Sequence, residues 1–69
     1  MQTMTPLADK LRKQRRLAGL TQAELATLSG VGLATITRLE QGESREPRVS
    51  TLKKLAQALE VEIRDIYEG

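Results

Sequence analysis

The chain has no cysteine, histidine, tryptophan or phenylalanine, and its one aromatic residue is Tyr67. Each absence closes a field of chemistry. Without His or Cys there is no ordinary zinc site, no thiol nucleophile and no side chain that shuttles protons near neutral pH. Neither a metal nor another cofactor is expected. Without Cys nothing points to an oxidising compartment, so the expected setting is the cytoplasm. No apolar run approaches the ~20 residues needed to span a bilayer. The stretch from Met1 to Pro6 lacks the basic-then-apolar layout of a signal peptide, so no membrane role is expected. Catalysis is not expected either. No pair of carboxylates falls in an evident pocket, no nucleophile has a base, and there is no Gly-rich phosphate loop.

What is present fits one small domain over residues 1–69. Ordering a chain costs about 1.5 kcal/mol per residue, so something on the order of 100 kcal/mol must be offset by burial. A domain this short buries only about 60% of its unfolded surface. Eleven Leu, three Ile and three Val place the composition above the level that marks disorder. A helical core is feasible but marginal, and association with a partner or a second copy would help it. The charge is unevenly spread. Lys10, Arg12, Lys13, Arg15 and Arg16 against Asp9 give residues 1–20 a net of +4. Arg38 against Glu24, Glu40 and Glu43 gives residues 21–44 a net of −2, and residues 45–69 balance. Seven of the 11 cations are Arg, the residue better shaped for phosphate. A solvated surface would show the same balance.

Apolar residues recur at spacings of three and four, so the chain reads as all-helical. Helix 1 is expected from Pro6 to Ala18, with Thr5 as its cap, Leu7, Leu11 and Ala18 in one stripe, Arg15 in the same row, and Gly19 as the stop. Helix 2 follows the capping box Thr21-Gln22-Ala23-Glu24 and runs to Ser29, with Leu20 and Leu25 placed as a hydrophobic staple. Helix 3 runs from about Leu33 to Gln41 with Ile36 and Leu39 inward, and Gly42 ends it. Helix 4 starts between Val49 and Thr51 and ends near Leu59, with Val49, Leu52, Leu55, Ala56 and Leu59 inward. A short helix 5 covers Ile63 to Tyr67, with Ile66 on its apolar side.

Two short helices about three residues apart, with Gly at the turn, make a helix-turn-helix arrangement over about residues 21–41. Its demands are met residue by residue. Ala26 is small where two backbones cross, Gly30 tolerates the turn, Leu25 anchors the first helix, and Val31, Ile36 and Leu39 pin the second. The ordered segments Gly19-Leu20-Thr21-Gln22-Ala23-Glu24-Leu25-Ala26, Ser29-Gly30-Val31, Thr35-Ile36-Thr37-Arg38-Leu39-Glu40-Gln41-Gly42 and Leu52-Lys53-Lys54-Leu55-Ala56-Gln57-Ala58-Leu59 closely resemble the phage repressor and Cro-like family, also called the Xre family. The resemblance covers about Leu7 to Tyr67. It implies a compact five-helix, lambda-repressor-like domain that binds double-stranded DNA, usually as a homodimer on a palindromic operator, and so a transcriptional regulator, most often a repressor. The single aromatic residue also argues against stacking on single strands and leaves duplex DNA as the better target.

The resemblance assigns roles. The Gln at the position of Gln22 binds a DNA phosphate near the positive end of helix 2. Helix 3 lies in the major groove. Its spacing alone puts Leu33, Ala34, Thr37, Arg38 and Gln41 opposite Ile36 and Leu39, with Thr35 on the flank. Arg38 suits guanine O6 and N7. Gln41, near the helix end, matches a phosphate contact, and Arg45 and Arg48 match residues that meet the backbone or the adjacent minor groove. The residues matching Arg15 and Glu40 form a partly buried ion pair between helices 1 and 3, a structural role with no DNA contact. The pattern departs from the family at Gly32-Leu33-Ala34, where Ser or Thr and then polar residues are usual. Leu33 and Ala34 offer no hydrogen bond to a base edge. They suit either thymine methyl groups or a protein surface. Glu60 stands where the family commonly has Gly. Leu17, Ile63 and Tyr67 are the candidates for dimer contact. The alternative function is a protein-interaction module of the same fold, such as an antitoxin or a bridging factor.

Overall fold

The computed structural model describes residues 6–43 and 47–67, and the Thr5 cap lies outside them. Four α-helices appear among the described residues: α1 (Pro6–Leu17), α2 (Gln22–Ser29), α3 (Leu33–Glu40) and α4 (Val49–Leu59). The expected fifth helix is instead a single 3-10 turn at Ile63–Asp65. The segment is too short to close a run of α-type hydrogen bonds. Instead, Glu62 accepts from the Asp65 amide while Asp65 accepts from the Glu62 amide, which tightens it into one turn. Helices 1 and 3 each end one residue earlier than their spacing predicts, at Leu17 and Glu40.

Three of the four helices end alike. The backbone passes through the left-handed region at Gly19 (φ 73°), Gly42 (φ 76°) and Glu60 (φ 57°). The following amide then reaches back five residues: Leu20 to Arg15, Glu43 to Arg38 and Val61 to Ala56, at 3.0–3.1 Å. This is the Schellman closure. Glu60 adopts it without the freedom of glycine, as expected from its place in the sequence. α2 ends by the simpler single bond, Gly30 N–H to the Ala26 carbonyl at 2.9 Å, with Gly30 at φ 77°.

The core joins Leu7 and Leu11 of α1, Leu25 of α2, Val31 of the turn, Ile36 and Leu39 of α3, and Leu52, Leu55, Ala56 and Leu59 of α4, closed by Ile66. Ala8 is also fully buried. Two inward assignments fail. Ala18 is exposed because α1 has already ended there and the chain turns into the closure. Val49 shares the row of Leu52, Ala56 and Leu59 but is 63% exposed, since it sits in the first turn of α4, where none of the described residues covers the row. No helix of the described residues is long and apolar enough to cross a membrane.

Candidate nucleic-acid interface

α2 is built to start sharply. Thr21, extended at φ −78°, ψ 166°, accepts from the Glu24 amide at 3.0 Å, and the Thr21 amide donates to Glu24 Oε1 at 2.8 Å. Gln22 is therefore the first residue of the helix. Only three residues, 30–32, separate α2 from α3. Within them the Val31 amide bonds Ser29 Oγ at 3.1 Å while its side chain drops into the core. Gly32 precedes α3 with no side-chain cap.

α3 is held from behind by Ile36, Leu39 and Glu40, all buried. Its outer face carries Leu33, Ala34, Thr35 and Arg38, all exposed, with Gln41 exposed at its end. Leu33 is 47% exposed. Thr37 is half-buried and leans toward α2. Arg48 is exposed at the start of α4, in the cap position. Arg45 lies outside the described residues. Among the described residues neither Arg38 nor Arg48 makes a hydrogen bond or ion pair through its side chain, so both guanidinium groups face water with their donors open.

Behind this face sits one buried carboxylate. Glu40 is 2% exposed. Arg15 grips it in a fork, Nε to Oε2 at 2.7 Å and Nη2 to Oε1 at 2.9 Å. The third Arg15 donor, Nη1, goes to the Leu20 carbonyl at 2.8 Å, so the same side chain ties down the loop between α1 and α2. The expected Arg15–Glu40 pair is present. Two further parts were missed in sequence. Arg12 Nη2 donates to the Glu40 main-chain carbonyl at 2.6 Å, and its Nε lies 3.9 Å from the carboxylate. Its position three residues before Arg15, on the same helix face, was the available signal. Gln22 Nε2 also donates to Glu40 Oε1 at 3.1 Å, and the Thr37 hydroxyl donates to Gln22 Oε1 at 3.1 Å. These last two bonds join residues 15 and 18 apart in the chain, and no periodicity marks them. No buried side-chain polar atom among the described residues is left without a partner.

The electrostatics follow from this packing. Burial pushes the Glu40 carboxyl up, but hydrogen bonds from Arg15 and Gln22 and the charges of Arg15 and Arg12 outweigh it, holding Glu40 below its ordinary value. The bond to Glu40 likewise raises Arg15, against the opposing effect of burial. Both groups are ionised at neutral pH.

A shallow depression of about 390 Å³ on the outer side of α2 is lined by Leu20, Ala23, Glu24, Thr27 and Leu28. It has one carboxylate and no base. No cluster of acidic side chains among the described residues is arranged to hold a metal. Of the dimer candidates, Leu17 is 71% exposed, whereas Ile63 and Tyr67 are partly buried against the core.

Comparison with known proteins places this architecture. A helix-turn-helix family model matches residues 11–66. The chain is 42% identical over 66 residues to the HTH-type transcriptional repressor RghR of Bacillus subtilis (strain 168), covering 96% of this chain and 46% of that protein. It is 43% identical over 58 residues to the regulator RghRB of the same organism, covering 84% and 42%. Against the phage CTXphi transcriptional repressor RstR of Vibrio cholerae the identity is 33% over 60 residues, covering 87% and 53%. The chain thus spans about half the length of these curated relatives or less. Among solved structures, the restriction-modification controller protein C.AhdI of Aeromonas hydrophila superposes with a TM-score of 0.82 at 34% identity, covering 90% of this chain and 92% of that one. With the family model matched over most of its length, and relatives above 40% identity across most of it, the chain belongs to the helix-turn-helix family.

Proposed function

We propose that this domain binds double-stranded DNA sequence-specifically, as a transcriptional regulator that represses. The observation that carries the reading is α3 itself. Its inner face is locked to the core by Ile36, Leu39 and Glu40, and its outer face presents Arg38 with every donor open. A helix so fixed and so faced fits the major groove. Arg38 reads guanine, Leu33 and Ala34 pack on thymine methyl groups beside it, Thr37 adds a further base contact, and Thr35 lies on the flank. Gln22, Gln41, Arg45 and Arg48 meet phosphates and set the register. A homodimer places two copies of α3 in successive major grooves of a palindromic operator, about 34 Å apart. The setting is the cytoplasm.

The experiment is selection of bound sites from random duplex DNA, followed by affinity measurements across salt. A recovered two-fold motif and a steep fall in affinity with salt are the expected results. Arg38→Ala should cost about 1–3 kcal/mol on the selected site and relax preference at one base pair. A second reading, a protein-interaction module of the antitoxin or bridging kind, is favoured by the exposure of Leu33 at the front of α3 and of Leu17 on α1. Under it, Arg38→Ala leaves partner binding intact, and no DNA motif is recovered.

A further inference from the structure

We propose that Thr37 does not read bases but, together with Glu40, orients the side-chain amide of Gln22 so that its one uncommitted N–H is offered to a DNA phosphate. The inference rests on the DNA-binding reading above and revises the role of one residue within it.

A glutamine amide can be turned over about its last bond, exchanging oxygen for nitrogen with little change in shape. Alone at the start of α2, Gln22 would present a donor in one state and an acceptor in the other. Only the donor suits a phosphate. Two neighbours remove the choice. Glu40 is ionised, so its carboxylate can only accept, and the amide atom 3.1 Å from Oε1 must be Nε2. Turning the amide over would set its oxygen against a carboxylate oxygen. Oε1 then falls 3.1 Å from the Thr37 hydroxyl, which donates its only proton to it. Arg15 completes the chain of constraint by holding Glu40 in place with two bonds of its own. Nε2 carries two hydrogens. One is given to Glu40, and the second has no acceptor among the described residues. It belongs to a half-exposed side chain on the first residue of α2, where the helix amides already favour an anion. Thr37 is left with lone pairs and a methyl group but no proton for a base acceptor. Thr37 and Glu40 are thus positioning residues that act through Gln22.

Any loss at Thr37 should therefore be blind to sequence. The test uses the full chain with the site selected from random DNA and a scrambled duplex, comparing wild type, Thr37→Val, Thr37→Ser, Gln22→Ala and the Thr37→Val/Gln22→Ala double variant. Valine keeps the branching and volume of threonine without the hydroxyl. Thr37→Val should weaken both duplexes alike, by about 3- to 10-fold, the worth of one neutral hydrogen bond. The selected base preference should stay unchanged, and Thr37→Ser should restore affinity. In the Gln22→Ala background, Thr37→Val should add less than about 2-fold, because its effect has no other route. A shift in base preference at one position under Thr37→Val, or a full loss that persists without Gln22, overturns the inference while leaving DNA binding standing. A wild-type chain that binds neither duplex overturns the DNA-binding reading and the phosphate role with it. The free protein gives a readout that needs no DNA. The two Gln22 side-chain amide protons should be well separated in the NMR spectrum and move together on Thr37→Val; unmoved resonances would show that Thr37 does not hold the amide.

Discussion

The Arg15–Glu40 pair gives the sharpest test of the energetics. Take Arg15→Met. Glu40 stays in place at 2% exposure, keeping the Gln22 amide at 3.1 Å and Arg12 at 3.9 Å but losing both short bonds of the fork. The Leu20 carbonyl loses its donor as well. Stranding one partner of a buried pair costs about 3–5 kcal/mol, and the residual help from Gln22 and Arg12 puts this case near the lower end, about 3 kcal/mol. Glu40→Met strands the other partner. Arg15 is 12% exposed at its side chain and keeps the Leu20 carbonyl, so the cost is smaller, about 2 kcal/mol. The double variant strands nothing and fills the space with apolar volume, so it should cost no more than the weaker single change. The resulting coupling is about 3 kcal/mol, at the top of the range for residues in contact. Total stability for a chain this size is about 3–10 kcal/mol. Urea unfolding followed by helical circular dichroism in the cold resolves all four proteins. Additive single changes, with coupling below about 0.5 kcal/mol, would refute the account of Glu40 as a buried charge held by Arg15.

Three further outcomes are expected. Because Glu40 titrates below its unfolded value of about 4.3, its contribution is fully present above that pH and is lost as pH falls through the lower folded value. The melting temperature of Glu40→Gln should therefore fall less steeply than wild type below pH ~4.3, and an unchanged acid limb would contradict this. Glu60→Gly should be neutral or stabilising by up to about 1 kcal/mol, since Glu60 occupies at φ 57° the position that Gly19 and Gly42 fill in the other two Schellman closures. A lowered melting temperature would show that the Glu60 side chain contributes more than its backbone strain removes. Gly32→Ser should raise stability by a few tenths of a kcal/mol, because Gly32 already has the extended backbone of a cap and no hydrogen bond to offer. A loss in the same thermal scan would mean that the added side chain disturbs Thr35, whose hydroxyl lies 3.9 Å from the new Cβ.

The legible part of the fold was written in local grammar. The capping box at Thr21 and the turn at Gly30 each depend on a few neighbouring residues, and each stands as the spacing predicted; the left-handed Glu60 stands where the family commonly has Gly. Ile36 and Leu39 were legible because α3 is covered along its whole inner face. Val49 was not, since periodicity gives the row of a side chain but not where the covering elements stop. The fifth helix failed for a related reason: apolar spacing over five residues cannot tell an α-turn from a 3-10 turn. The pair at Arg15 and Glu40 followed from the family pattern. Arg12, and the bonds that Gln22 makes to Glu40 and Thr37, required three helices to be brought together before any of them existed.

The shared carboxylate also bears on how such a chain can change over generations. One atom, Glu40 Oε1, takes bonds from a residue of α1 and a residue of α2 while belonging to α3. A replacement at position 15 or 40 alone leaves a charge without its counterpart, and the intermediate is close to unfolding. The two positions can be exchanged only together, and position 22 loses its bond from the amide to the carboxylate when they go. The outer residues of α3 carry no such bond. Leu33, Ala34 and Arg38, the residues that read bases under the proposed function, are therefore free to change one substitution at a time, over an interior that is mutationally locked.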